Sequence, residues 1–353
     1  MTKKIALIGC GKIALKHIEA IKYYQKKKKL KLVAICENNL KKLDELKIPL
    51  INKYTKIGEM LKKEQIDIIS ILTPSGLHYQ HFMQCKNYVK TIVIEKPIAL
   101  KTSDAKKMMI ISKNKNINLF VVLQNRFNPV INFLKKNVEN GKLGKIFLTT
   151  IRLRWSRGLN YYKQAKWRGT WKYDGGVIAN QCAHHIDLLQ WISGMPSTVQ
   201  SQMINVHKGK KVEDTALAIL TYNQSNKLGM IEATTATRPK DIEGSISVLG
   251  TKGSIVLSGF TSSKIETCNY ENMSNKDKKI IKINKESIKN VYNEGHKKFY
   301  KYVIDSIKKK SDVNFLDGKE ALKSLKIING IYKSSRKNKK VRINKNFDSF
   351  LGK

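Results

Sequence analysis

KKIALIGCGKIA, residues 3–14, decides the fold. An aliphatic run enters Gly9, and GCGKIA (9–14) then reads G-x-G-x-x-A just where a strand would hand over to a helix, IALKHIEAIKYY (13–24). In that context the spacing is the dinucleotide-binding turn. Gly9 permits the tight turn, Gly11 lets the backbone approach a pyrophosphate, and Ala14 allows close helix–sheet packing. The positive end of the helix dipole then favours the phosphates. Glu37 closes the next apolar run, LKLVAICE (30–37), where a carboxylate would bond ribose hydroxyls. A carboxylate there repels a 2′-phosphate and no Arg follows it, which favours NAD over NADP.

Outward from this turn, the first third alternates short continuous apolar runs with helical segments. IDIISILTP (66–74), TIVIEKP (91–97) and LFVVLQNRF (119–127) continue the strands. GEMLKKE (58–64), LHYQHFMQCKNYV (77–89) and SDAKKMMIISKN (103–114) are the helices between them. This pattern indicates a parallel sheet covered on both faces. After about residue 125 the runs lengthen and alternate, as in GKIFLTTIRLRW (144–155), DTALAILTYN (214–223) and SISVLGTKGSIVLSG (245–259), which indicates a largely antiparallel sheet with one covered face. The expected fold class is α/β: a Rossmann doubly wound parallel sheet over 1–124, then an α/β domain with a large open, mainly antiparallel sheet over 125–353. The closing helices, GHKKFYKYVIDSIKKK (295–310) and KEALKSLKIINGIYKSS (319–335), are free to pack back on the first domain. NYENMSNKDKKI (269–280) is polar and reads as a loop.

The 353 residues suit two domains, and 41% hydrophobic content suffices for sizeable cores. The formal net charge is +41, which by itself points to nucleic acid or a membrane surface. Only 8 of the 68 basic residues are Arg, however, and the lysines run along the whole chain. Readers of phosphate and bases lean on the planar Arg fork. A solvated basic surface is the expectation, with no nucleic-acid or membrane partner. Cys10, Cys36, Cys85, Cys182 and Cys268 have neither CxxC nor metal-ligand spacing and are expected to be reduced, buried thiols. No apolar run approaches the roughly 20 residues of a membrane span. The chain enters a strand at once, and a cytoplasmic enzyme is expected.

Open α/β sheets bind ligands at the carboxyl ends of their strands. TPSGLH (73–78) and EKP (95–97) lie at two such ends, so Lys96 is either a cleft amine suited to proton traffic or an ordinary surface lysine. GGVIANQCAHHID (175–187) is expected to be helical, with Asn180, His184 and Asp187 sharing a face. A histidine there is either a hydrogen-bonded core residue or a base. Ligand spacing is lacking, so no metal is expected. Arg126, Arg152, Arg154, Arg157 and Arg168 gather more than half of the chain's arginines within 43 residues. They are either anion partners or ion pairs on a solvated face. Tyr161 and Tyr162 are candidates for stacking on a base or sugar.

Together G-x-G-x-x-A, TPSGLH, EKPIAL, QNRFNP (124–129), GKLGKI (141–146), WRGTW (167–171), GGVIANQCAHHIDLL (175–189) and the tail GKEALKSLKIINGIYKSSRKNKKV (318–341) resemble the Gfo/Idh/MocA oxidoreductases over essentially the whole chain. TPSGLH, QNRFNP and the Asn180–Gln181 pair are most similar to its UDP-N-acetylglucosaminuronate 3-dehydrogenases. The resemblance implies NAD-dependent oxidation of a secondary alcohol of a sugar nucleotide, at C3, in surface-polysaccharide synthesis. It also implies a homodimer or homotetramer built on the open sheet. Lys96 and His184 match catalytic positions, and the bond before Pro97 is often cis in relatives. Many relatives carry Asp where Asn180 stands, and Asn exchanges no proton at neutral pH, so base work falls to His184 and Lys96. The cofactor set so implied is Gly9, Gly11, Lys12, Ile13, Glu37, Thr73, Pro74, His78, Glu95, Lys96, Gln124, Trp167 and Arg168. The substrate set is Lys96, Arg126, Arg154, Tyr161, Asn180 and His184. The alternatives are a dehydrogenase of a free sugar or inositol, and a non-catalytic nucleotide- or nucleic-acid-binding protein.

Overall fold

The aliphatic run that opens the chain is strand β1 (Lys3–Ile8), whose last four residues are all buried. It is followed by α1 (Ala14–Lys26), β2 (Leu30–Cys36), α2 (Leu40–Glu45), β3 (Asn52–Tyr54), α3 (Ile57–Lys63), β4 (Ile68–Ile71), α4 (His78–Cys85), β5 (Thr91–Ile94), α5 (Thr102–Asn114) and β6 (Asn118–Val121). The strands form one six-stranded sheet in the order β3-β2-β1-β4-β5-β6, and every neighbouring pair is parallel. β4 and β5 are buried at every residue, as a sheet covered on both faces requires. The order reverses beside β1, which is where such sheets bind dinucleotides. The short α2 and β3 escape the sequence pattern because they carry too few buried residues to set a period.

These coordinates come from a computed structural model that describes residues 2–46, 48, 51–207, 211–223, 226–284, 291–309, 315–343 and 348–353. Two compact units emerge: Met1–Ala99, Ser103–Gln124 and Tyr292–Leu322 make the first, and Leu100–Thr102, Asn125–Val291 and Lys323–Lys353 the second. The division at 124/125 coincides with the change in strand character. Residues 292–322, which carry most of a late helix, belong to the first unit.

The second unit contains α6 (Pro129–Glu139), β7 (Ile146–Arg154), α7 (Leu159–Lys163), α8 (Ala183–Ser193), β8 (Thr198–Ile204), β9 (Thr215–Thr221), β10 (Leu228–Thr234), β11 (Glu243–Gly250), β12 (Gly253–Ser258), β13 (Lys264–Tyr270) and α9 (Asn275–Ile283). After α10 (Val291–Lys309), α11 (Gly318–Lys337) and β14 (Val341–Arg342) close the chain. The eight strands run β13-β12-β11-β7-β10-β9-β8-β14 and are antiparallel except at β7–β10. One face is dry: Ile151, Leu153, Ala218, Leu220, Ile231 and Ile246 pack with Ile186 and Leu189 of α8 in one core. The opposite face of β9 leaves Leu217 and Ile219 more than half exposed. The stretch 269–280 is not the loop its polarity suggests. β13 runs to Tyr270, and Ser274 with Asp277 then forms a capping box that starts α9. Residue 310, the end of one expected closing helix, lies outside the described residues.

Candidate active site

At the end of β1 the chain turns with Gly9 at φ +96°, and a Cβ there would lie 2.9 Å from Thr73 Cγ2. Only glycine satisfies both demands. A Cβ on Gly11 would meet nothing within 4 Å, so the backbone is open on that side, as a pyrophosphate requires. No side chain caps α1 at Ile13, and although the Ala14 and Lys16 N–H groups go to the Gly11 and Ile13 carbonyls, the positive end of the helix dipole faces the turn. Lys12 stands exposed beside this turn and Ile13 is half-buried. Glu37 follows β2 directly and its Oε2 accepts from the Cys10 N–H at 2.8 Å, which sets the carboxylate at the rim of the turn. Turn, helix start and carboxylate therefore fit a dinucleotide without a 2′-phosphate.

The next strand ends are tied to each other. His78, fully buried at the start of α4, has Nδ1 2.9 Å from the Pro97 carbonyl and Nε2 2.9 Å from the Thr73 carbonyl. It thus braces the 73–78 and 95–97 loops, both of which belong to the cofactor set expected from sequence. Thr73 Oγ1 lies 2.9 Å from His81 Nδ1, and Pro74 leads into the short 3₁₀ turn Ser75–Leu77. The Lys96–Pro97 bond is cis, and Lys96 is half-buried. Both oxygens of the Glu95 carboxylate have partners within the protein. It is buried, with Oε1 3.0 Å from His17 Nε2 and Oε2 accepting from the Lys96 N–H at 3.1 Å. Gln124 is buried in the same unit, its side chain against the Gly295 position.

In the second unit, GGVIANQCAHHID departs from the expected helix. Residues 177–182 are turns, the Cys182 N–H reaching back five residues to the Val177 carbonyl, and α8 begins at Ala183. The reason lies in what takes the backbone donors. The Tyr332 hydroxyl accepts from the Gly176 and Ala179 N–H groups, each at 3.2 Å, and Glu213 Oε1 accepts from the Ile178 N–H at 3.1 Å. Tyr332 in turn donates to Glu213 Oε1 at 2.7 Å. A Cβ on Gly176 would overlap Glu213 Oε2 at 2.1 Å, so the segment sits directly on this carboxyl. Burial pushes Glu213 up to about 8, against the hydrogen bonds from Tyr332 and Ile178.

His184 falls in the first turn of α8, buried, while Asn180 precedes the helix in the turns. Asn180 Nδ2 donates to Asp174 Oδ1 at 2.6 Å, and Asp174 Oδ2 accepts from the Gly169 N–H at 2.8 Å. Asp174 therefore fastens the WRGTW loop to the Asn180 turn. The Arg168 guanidinium hydrogen-bonds Tyr161 Oη and lies over the Tyr161 and Trp167 rings at 4.3 and 4.6 Å. Gln181 Nε2 reaches the same Tyr161 oxygen at 3.4 Å. Arg168, Tyr161, Gln181, Asn180 and His184 thus come from one connected stretch of this unit.

His185 is a core residue: it meets Trp155 edge to face at 6.2 Å, and burial lowers it to about 4. Trp155 also stacks on Phe260 at 4.4 Å. The arginine cluster mostly resolves into ion pairs. Arg126, expected to contact substrate, is wholly buried and bidentate on Asp187, at 2.8 and 2.7 Å. Arg154 binds Glu232 Oε2 at 2.9 Å and Glu243 at 3.1 Å, Arg157 binds Asp241 at 2.9 Å, and Arg152 lies 3.9 Å from Glu232. No carboxylate pairs with Arg168 among the described residues. Glu213 and Tyr332 carry no sequence signal, since their partners lie up to 156 residues away, and Asp174, whose partners are only five and six residues off, follows no recognisable spacing. Gly176 is the one hint, a glycine that only a close approach explains.

A Rossmann cofactor turn with a ribose-side carboxylate, joined to an open-sheet domain, defines an NAD-dependent oxidoreductase. Family models agree: the oxidoreductase family's NAD-binding Rossmann fold matches residues 3–123, and its C-terminal alpha/beta domain matches 135–343. The chain belongs to the Gfo/Idh/MocA oxidoreductase family. It is similar to the WlbA dehydrogenase of Bordetella pertussis, solved with NADH and UDP-GlcNAcA, at 31% identity and TM-score 0.88, over 97% of each chain. The WlbA dehydrogenase of Chromobacterium violaceum, solved with the same two ligands, matches at 30% identity and TM-score 0.90, over 98% of this chain and 97% of that one. Myo-inositol 2-dehydrogenase of Thermotoga maritima is 25% identical over 259 residues, 71% of this chain and 74% of its own. Membership in a family of enzymes displaces the non-catalytic alternative.

Proposed function

We propose that the protein oxidises a secondary alcohol of a sugar nucleotide, C3 of UDP-N-acetylglucosaminuronate, with NAD as hydride acceptor. The observation that supports this most is the end-to-end likeness, at 30–31% identity, to two dehydrogenases solved with NADH and UDP-GlcNAcA. In this reading His184 takes the hydroxyl proton, and the Lys96 ammonium steadies the charge that grows on oxygen and relays the proton. Bound nicotinamide supplies the hydride chemistry. Asn180, held by Asp174, orients substrate hydroxyls through its amide oxygen and exchanges no proton. Arg168, the one member of the 126–168 arginine cluster with no acid partner among the described residues, holds an anionic group of the nucleotide with Tyr161 beside it. The product serves a route to surface polysaccharide.

Incubation of the protein with NAD and UDP-N-acetylglucosaminuronate, with 2-oxoglutarate as hydride acceptor, tests the substrate. Turnover of free inositol or glucose with no action on the nucleotide sugar would favour the second reading, which the inositol dehydrogenase relative supports. Lys96→Ala and His184→Ala are expected to lower turnover at least ~10²-fold while NAD affinity stays within a few-fold. Near-normal rates in either variant remove that residue from the mechanism.

The same reading includes self-association through the open sheet. On its outer face Leu217, Ile219 and Leu228 are each at least half exposed. Ile219 stands opposite Met230, and Leu217 and Leu228 lie two residues from them on the same face, so these side chains form one cross-strand patch.

A further inference from the structure

Beneath the Lys96 loop the first unit holds a polar cluster with no access to solvent. His17 and His296 are fully buried and Glu95 nearly so. Ser70 Oγ lies 3.0 Å from Tyr300 Oη, Tyr300 Oη 2.7 Å from His17 Nδ1, and His17 Nε2 3.0 Å from Glu95 Oε1. His296 Nε2 is 4.0 Å from the same carboxylate oxygen, and its ring meets that of His17 edge to face at 4.9 Å. One proton arrangement satisfies the chain: Ser70 donates to Tyr300, Tyr300 to Nδ1 of a neutral His17, and Nε2–H to Glu95. Burial pulls His17 below its ordinary value, in keeping with a neutral ring. Glu95 is pushed up by burial, but the hydrogen bond from His17 and the nearby His296 ring prevail and hold it well below the usual carboxylate range.

Such a cluster is a poor way to stabilise a fold. Apolar residues of equal volume would do as well or better, so a positional role is the stronger account. The geometry points to that role. Glu95 Oε2 receives the backbone N–H of Lys96, while Oε1 is anchored through His17 to α1, one turn beyond the glycine turn. α10 supplies Tyr300 and His296.

We propose that His17, Glu95 and Tyr300 are positioning residues that lock the Lys96 backbone to the cofactor helix and so set where its amine stands. The inference rests on the catalytic reading of Lys96, and its test has an arm that needs no substrate. In the full-length protein, Glu95→Gln and Tyr300→Phe are made beside Lys96→Ala, with folding checked by near-ultraviolet circular dichroism. Amine acylation with mass spectrometry then reads the reactivity of Lys96 against all other lysines. Glu95→Gln is expected to change Lys96 labelling at least three-fold, Tyr300→Phe by less, with the other lysines unmoved. With NAD and the nucleotide sugar, Glu95→Gln is expected to lower kcat about ten-fold or more while KM for NAD stays within about three-fold.

Unchanged Lys96 labelling and unchanged kcat in folded Glu95→Gln would overturn the positioning role. Normal turnover in Lys96→Ala would instead overturn the catalytic reading, and the labelling result would still decide the geometry. His17, Glu95 and His296 also place three ligand atoms within 4.8 Å of one another. One equivalent of tightly held transition metal per chain, lost in His296→Ala, would replace the positioning account with a metal site.

Discussion

His184 and His185 differ by one position and by everything around them. His185 is sealed against Trp155 and the Gly244 position, and burial keeps it neutral down to about pH 4. His81 is lowered to about 4 as well, again by burial. Both bind fewer protons folded than unfolded between about pH 4 and 6.5, so stability falls as pH drops through that window. Thermal melts from pH 7 to 5 should show it, and His185→Phe should flatten the slope. Glu213 has the opposite sign. Its folded value of about 8 lies above the ordinary 4.5, so its contribution is complete below pH 4.5 and is lost as pH rises towards 8. Glu213→Gln is expected to raise Tm by several degrees at pH 8 and by much less at pH 5. An equal gain at both values would mean that the carboxyl ionises freely in the fold. Arg168→Ala should raise KM for the nucleotide sugar about ten-fold or more, leaving kcat nearer its original value.

At the scale of elements, the glycine turn was readable because its signature is local: φ +96° at Gly9 and the open backbone at Gly11 fall within one six-residue motif. Gly9→Ala is expected to cost ~1–3 kcal/mol and to weaken NAD binding measurably by fluorescence titration. The continuous apolar strands of the first sheet and the alternating ones of the second were readable for the same reason, since burial repeats along the chain. The 177–182 turns were not, because Tyr332 and Glu213 hold them from far away in sequence. Nor could spacing reveal that Arg126 pairs with Asp187, or that His78 and Glu95 hydrogen-bond carbonyls, a histidine and a backbone amide. Residue type at a strand end announces a functional loop. Which side chains face outward from it depends on partners that only the fold brings near.

For the whole molecule, the +41 charge sits on lysines, while four of the eight arginines are matched to acids among the described residues. The excess is a surface property and steers anionic ligands toward the protein in a salt-dependent way. The outer face of the open sheet carries the assembly proposal. Ile219→Asp should convert the oligomer to monomer by light scattering, and an unchanged mass would place the interface elsewhere.

The most direct test of the account is a single reaction: purified protein, NAD, 2-oxoglutarate and UDP-N-acetylglucosaminuronate, followed by mass spectrometry of the nucleotide sugar. The account predicts a product lighter by two hydrogens, oxidised at C3, that fails to form with Lys96→Ala or His184→Ala. Recovery of the nucleotide sugar unchanged, from protein that binds NAD and oxidises a free polyol, would contradict it.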